Sequence, residues 1–254
     1  MKMPTLFISH GAPDMVLHET PSHLFLKGLP KLLPEAPQAI LVVSAHWETA
    51  EPRVTGSAAP KTIHDFQGFP DEMYKLVYPA PGSPALAAKA ADILGATVDA
   101  ERGLDHGAWS PLMIAFPEAR IPVVQLSIQP DKDAAWHYAS GQKLAPLREE
   151  GVLIMATGNT THNLRAAFRG HYTSVPAEVR EFSAWLYKML SDKDHQQLQD
   201  WETAAPHARW NHPTPDHLLP LFVALGAAGP DAPARRIHDS VDFNVLAMDS
   251  YMFG

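Results

Sequence analysis

The chain has 254 residues, a formal net charge of −8, 46% hydrophobic and 19% charged residues, and no cysteine. This excludes a disulfide framework, thiolate metal sites and a cysteine nucleophile, and leaves no basic footprint for nucleic acid or anionic lipid. No apolar run reaches the ~18 residues of a membrane span and no secretory leader is recognisable, so one soluble cytoplasmic domain over residues 1–254 is expected.

Residues 5–9 (TLFIS) form the first apolar run, ending at His10, with Gly11 free to turn sharply after it. Residues 22–33 read as a helix broken by Pro30 and Pro34. Residues 39–47 (AILVVSAHW) are a nearly unbroken, β-branched apolar run, the pattern of a strand buried on both faces of a parallel sheet. The run delivers His46 at its carboxyl end, where α/β sheets open into ligand crevices. A short edge strand around Val54 follows, then an aromatic stretch, 63–78, too long for a simple connector and suited to walling a pocket. Residues 83–94 (SPALAAKAADIL) read as a helix with Ser83 at the N-cap and Pro84 in the first turn. Residues 97–99 read as a brief strand, and 103–112 as a loop carrying His106 between Asp105 and Gly107.

Further on, 122–128 (PVVQLSI) is a third buried strand, 134–148 a helix, and 152–157 (VLIMAT) a fourth strand running into Gly158, Asn159 and His162. Residues 176–190 form an amphipathic helix, 192–211 a polar surface segment, and 240–252 a last strand. Thr214 as N-cap and Pro215 at the first position would open a helix over 215–227, with His217 in its first turn. Strand and helix patterns alternate through most of the chain. They predict an α/β fold with a mostly parallel central sheet and helices on both faces.

Any metal here must be held by imidazole and carboxylate, and 14 histidines are the compositional outlier. Three apolar strands lead into His10, His46 and the loop bearing His162. In a parallel sheet such ends lie along one edge, with strands about 4.8 Å apart. His217, stiffened by neighbouring prolines, could reach in as a fourth arm. Neutral imidazoles without thiolate suit Zn²⁺ or Fe²⁺. Neither a G-x-S-x-G elbow nor a glycine-rich phosphate loop is present.

Seven motifs, in order, carry a family resemblance: SHGAP at 9–13, SAHW at 44–47, IHDFQGFP at 63–70, YPAPGSP at 78–84, DHGAW at 105–109, GNTTHNL at 158–164 and PTPDH at 213–217. Together they resemble the class III extradiol ring-cleavage dioxygenases, in particular the branch acting on 4,5-DOPA-type catechols. The resemblance implies a non-haem Fe²⁺ enzyme, with Zn²⁺ possible in the same site, that uses O₂ to open a catechol ring beside its two hydroxyls. It implies metal ligands at His10, His46 and His217, an acid–base histidine at His162, and His106 lining the substrate pocket. The chain departs from the protocatechuate branch at the third ligand, where that branch has glutamate and this sequence has His217. Trp47, Phe66, Phe69 and Trp109 could wall off water, and Arg165 is one candidate partner for a substrate carboxylate. The partners expected are therefore a small-molecule catechol and O₂, with monomer and homodimer both open. Two other uses of the cluster also stay open: a zinc hydrolase or amidase-like enzyme, and a non-catalytic metal-binding relative.

Overall fold

A computed structural model describes residues 2–254. Its strands are β1 (Thr5–Ser9), β2 (Ala39–Glu48), β3 (Arg53–Thr55), β4 (Thr97–Asp99), β5 (Val123–Ile128), β6 (Val152–Gly158), β7 (Ala234–His238), β8 (Val241–Asp242), β9 (Leu246–Ala247) and β10 (Ser250–Phe253). The helices are α1 (Pro21–Gly28), α2 (Pro84–Leu94), α3 (His106–Ala115), α4 (Ala134–Leu144), α5 (Leu164–Arg169), α6 (Ala177–Asp192), α7 (His195–Gln199), α8 (Trp201–Ala204), α9 (Ala208–Asn211) and α10 (Leu219–Ala228). Eight strands form one sheet in the order β4-β3-β5-β2-β6-β1-β10-β7, and β8 and β9 form a separate hairpin.

The middle of the sheet is parallel. β6 lies between β1 and β2, pairing Ser9 with Gly158 on one side and Ser44 with Thr157 on the other. β10 and β7 close one flank antiparallel. Side-chain alternation divides the interior into two cores, as a period of two requires. Phe7, Leu41, Val43, Ile154 and Ala156 pack with residues of α2, α4, α6 and α10. Leu6, Ile8, Ile40, Val42, Leu153 and Met155 pack with residues of α1 and α3 on the opposite face. The strands are apolar at nearly every position because both faces are covered. Among the described residues no helix is long and apolar enough to cross a membrane.

Three local expectations need correction. Residues 103–112 are not a loop, because α3 begins at His106. Gly107 and Pro111 disguise this helix in the sequence, but nine of its ten residues are buried, and burial outweighs weak intrinsic propensity. The helix expected over 215–227 begins only at Leu219. Pro220, not Pro215, is the proline of its first turn. A start at Pro215 would have put Pro220 in the helix interior, where its ring clashes with the preceding turn. His217 therefore sits in the turn before α10, where Leu218 N–H donates to the Pro215 carbonyl at 2.9 Å. The strand expected over 240–252 is broken into β8, β9 and β10. Phe243 and Asn244 both take positive φ, 53° and 57°, and reverse the chain between β8 and β9. Strand β7 was not anticipated from the sequence.

Candidate metal centre

The carboxyl ends of β1, β6 and β2 lie side by side and carry His10, the His162 loop and His46 in that spatial order. His10 N–H donates to the Gly158 carbonyl at 3.0 Å, continuing the ladder and fixing the histidine at the sheet rim. His217 is tied to the same rim, since Asn159 N–H donates to its carbonyl at 2.9 Å. Glycine is required opposite this contact. A Cβ on Gly158 would lie 2.1 Å from the His217 carbonyl oxygen.

His10, His46 and His217 each bring a ring nitrogen within 4.8 Å of the others. The Nε2 atoms of His10 and His46 are 2.9 Å apart. Two nitrogens each about 2.05 Å from one ion, at roughly a right angle, have that separation. Nδ1 of His217 is bonded to the Asp216 carboxylate, while its Nε2 is buried without a partner. A carboxylate that takes the Nδ1 proton leaves a lone pair on Nε2 for a metal. Burial, then the neighbouring imidazoles, drive the His10 and His217 pKa values well below the usual range. Burial and His106 lower His46 to about 3. All three are thus neutral donors at pH 7. Neutral donor chemistry and an orphaned buried nitrogen both fit a divalent ion such as Zn²⁺ or Fe²⁺.

The remaining two histidines flank this trio differently. His162 stacks on His217, with ring centroids 3.3 Å apart and 9° between planes. Its N–H donates to the Asn211 carbonyl at 2.9 Å. Burial lowers its pKa to about 4, against an opposing pull from Asp216. His106 lies on the other side, 3.9 Å from the His46 ring. Asp65 holds it: Oδ1 accepts the His106 backbone N–H at 2.9 Å, and Oδ2 is 3.0 Å from Nδ1. The same Oδ2 is 4.0 Å from His46 Nδ1. Burial alone would raise Asp65, but its bonds to His106 and the charges nearby hold it down to about 2.

Behind His46 lies a buried polar scaffold. Asp105 is fully buried at the start of α3. Its Oδ1 accepts from the Ser44 hydroxyl at 2.7 Å, and Oδ2 accepts from Gln125 and from Arg102. Ser44 Oγ in turn accepts the His46 N–H at 3.1 Å. Gly107 presses against this network. A Cβ there would meet Ser44 Oγ at 2.6 Å and His46 Cδ2 at 3.0 Å.

The five histidines form the floor of a cavity of about 240 Å³. Phe66 and Phe69 line it, as the sequence suggested, together with Leu164, Phe168, Phe243 and Leu246. Trp47 and Trp109 do not. Trp47 lies beneath the Arg102 guanidinium, and Trp109 is in the core, with Nε1 donating to the Ile63 carbonyl at 2.9 Å. Arg165 is exposed on α5 and outside the lining. Asp65 and Asp216 lie within the motifs at 63–70 and 213–217, where the sequence offers Asp216 only as a helix-start acid and gives Asp65 no part in the site. Adjacency to His64 and His217 was the available signal for them. Phe168 and Phe243 carried no signal, because only the folded chain brings α5 and the β8–β9 turn together.

Known proteins resemble this chain over nearly its whole length. The family described as the catalytic LigB subunit of aromatic ring-opening dioxygenase matches residues 3–254. The chain is 44% identical over 257 residues to "4,5-DOPA dioxygenase extradiol" of Beta vulgaris, covering 98% of this chain and 96% of the relative. It is 41% identical over 263 residues to the protein of the same name from Escherichia coli K12, covering 100% and 95%. The crystal structure of an uncharacterized protein from Escherichia coli K12 superimposes with a TM-score of 0.84 at 37% identity, covering 99% of this chain and 100% of the other. An α/β sheet with a histidine-floored cavity and full-length similarity to these enzymes leads to one assignment: the chain belongs to the LigB family of aromatic ring-opening dioxygenases and is an extradiol ring-cleavage enzyme.

Proposed function

We propose that the enzyme opens the ring of a catechol-type substrate with O₂, using a divalent ion held by His10, His46 and His217. Fe²⁺ is the working ion in this reading, and Zn²⁺ fits the same donors. The observation that carries it is the meeting of three neutral imidazoles at the cavity floor, with two further histidines beside them. The catechol class comes from the relatives named for 4,5-DOPA. Bound there, the ion supplies Lewis acidity toward the catechol oxygens and, as Fe²⁺, reactivity toward O₂.

The chain's own residues account for orientation, proton handling and exclusion of water. Asp216 fixes the His217 ring by taking its Nδ1–H. Asp65 fixes His106 through its backbone N–H and sets its own Oδ2 3.0 Å from the ring Nδ1. His162 is neutral because it is buried, so a free imidazole nitrogen can take a catechol hydroxyl proton and later return it. His106, across the ion site from His162, faces the substrate and can stabilise charge that develops on it. Phe66 and Phe69 present apolar edges and faces that keep water from the ring.

The test is anaerobic loading with Fe²⁺, then addition of catechol and O₂. Stoichiometric O₂ uptake with a yellow ring-fission product is the expected result. Hydrolysis by the Zn²⁺-loaded protein without O₂ use would favour the hydrolase, since three histidines also serve zinc hydration enzymes. Metal retention with neither activity would leave a binding protein.

A further inference from the structure

Strand β6 hands His162 to the cavity on a short loop, 159–163, which is anchored from two sides. On the sheet side, Thr160 N–H donates to Ser9 Oγ at 3.1 Å, and the Thr161 hydroxyl donates to the Val245 carbonyl at 2.8 Å. On the other side stand Asn211, the last residue of α9, and His212. The Asn211 carbonyl accepts the His162 N–H at 2.9 Å, and Nε2 of His212 lies 2.9 Å from the Thr160 carbonyl. A carbonyl only accepts, so this Nε2 must carry a proton and donate it. The His212 ring is buried, and burial lowers its pKa to about 4, so it is neutral and has one proton to place. Nδ1 is then a bare acceptor, and it is indeed buried with nothing bonded to it. Unpaired buried acceptors are costly. Here the cost accompanies a single side-chain bond, the one to Thr160. The ring is wedged between Phe182 of α6 and Trp201 of α8, each with its centroid 5.4 Å away.

His212 does not line the cavity, so it cannot meet a substrate there. What it holds is the loop whose next residues deliver His162. The same stretch of chain continues to His217, on whose ring His162 stacks at 3.3 Å and 9°. The Thr160 bond therefore joins the loop bearing one ring to the segment bearing the other. Resting on the reading of His162 as the acid–base group, we infer that His212 is a positioning residue for ring cleavage: its Nε2–H clamps the Thr160 carbonyl and so keeps the His162 ring in place beside the ion site. His217 has its own ties, to Asn159 through its carbonyl and to Asp216 through its ring. Loss of the clamp thus falls on proton handling and not on metal binding.

The experiment compares His212→Leu, which removes the donor and keeps an apolar body, with His212→Gln. The glutamine amide carries its N–H as many bonds from the backbone as Nε2 does, and its oxygen takes over as the unpaired acceptor. Catechol turnover is measured on the Fe²⁺-loaded proteins and Zn²⁺ affinity by calorimetry. Hydrogen exchange of the 159–163 amides is followed on the Zn²⁺-loaded proteins, against global stability from urea unfolding. His212→Leu should lower kcat at least about tenfold, since a misplacement of about 1 Å costs about 100-fold. KM and Zn²⁺ affinity should hold, the split expected when only the transition state loses support. Its loop amides should exchange faster than the change in global stability explains, and His212→Gln should restore both rate and protection. Parent-like kcat in His212→Leu overturns the inference, as do equal losses in both variants or a loss of Zn²⁺ affinity that tracks the rate. If His212→Leu does not fold, a folded His212→Gln decides: a fast, protected enzyme supports the clamp, and a slow or unprotected one overturns it. In the parent protein, nitrogen NMR should find His212 protonated at Nε2, and an Nδ1–H ring overturns the inference without any variant. If the parent Fe²⁺ protein cleaves no catechol, the ring-cleavage reading falls, while loop exchange still judges the clamp.

Discussion

Gly107→Ala places one methyl group where the structure has no room. The new Cβ would lie 2.6 Å from Ser44 Oγ, 3.0 Å from His46 Cδ2 and 3.3 Å from Asp105 Oδ1. Ser44 cannot rotate away freely. Its hydroxyl donates to Asp105 Oδ1 at 2.7 Å and accepts the His46 N–H at 3.1 Å. Moving it would leave a fully buried carboxylate short of a donor, so the displacement falls on His46. Sites of this kind tolerate only about 0.5 Å before losing function. Overpacking by one methyl in such a place costs about 1–3 kcal/mol of stability. Displacing a ligand's support lowers metal affinity by about 10–100-fold. Zn²⁺ titration of the metal-free variant, beside urea unfolding, measures both quantities. Gly28→Ala is the control: nothing lies within 4 Å of its added Cβ, and its φ of −86° suits alanine, so binding should not change. If Gly107→Ala bound Zn²⁺ as tightly as the parent protein, His46 would not be held through Ser44 and α3, and the scaffold argument would fail.

Three more outcomes follow from the site. His46→Ala should purify without metal, whereas His162→Ala should keep the ion and lose about 100-fold or more in turnover, as removal of an acid–base group does; metal analysis and O₂ uptake separate the two, and similar behaviour of both variants would refute the division of roles. Asp216→Asn removes the carboxylate that takes the His217 Nδ1 proton and should weaken metal binding about 10–100-fold, read by competition with a chelating dye. The metal-free protein should lose stability in acid. Burial lowers His46 to about 3, and His162 and His212 to about 4, so these rings stay neutral in the fold while the unfolded chain protonates them near 6.5. The unfolded state then binds more protons, so stability falls as pH drops from about 6.5 to about 4. Urea midpoints that stay flat across that interval would contradict the buried neutral assignment.

The strands were readable because both faces of the sheet are covered, which makes 5–9, 39–47 and 152–157 apolar at almost every position. His10, His46 and His162 could be placed at one rim from that pattern alone, since β1, β6 and β2 are neighbours. Helix α3 escaped notice because Gly107 and Pro111 serve close packing, not helix propensity. The capping pattern at Thr214–Pro215 suits a helix start on its own terms, and only the packed chain moves the start to Leu219, with Pro220 in the first turn. Asp65 stands 41 positions from the His106 N–H it accepts, and no local pattern records that bond. The cavity rim was illegible for the same reason.

The floor of the cavity is gathered from residue 10 to residue 217, and the strand carrying His10 lies between partners drawn from 152–158 and 250–253. An ordering so dependent on distant parts of the chain belongs to slow, long-range folding. An ion held there would meet its three ligands only after β1, β2 and β6 have paired, so its affinity would report on the finished sheet and not on any local segment.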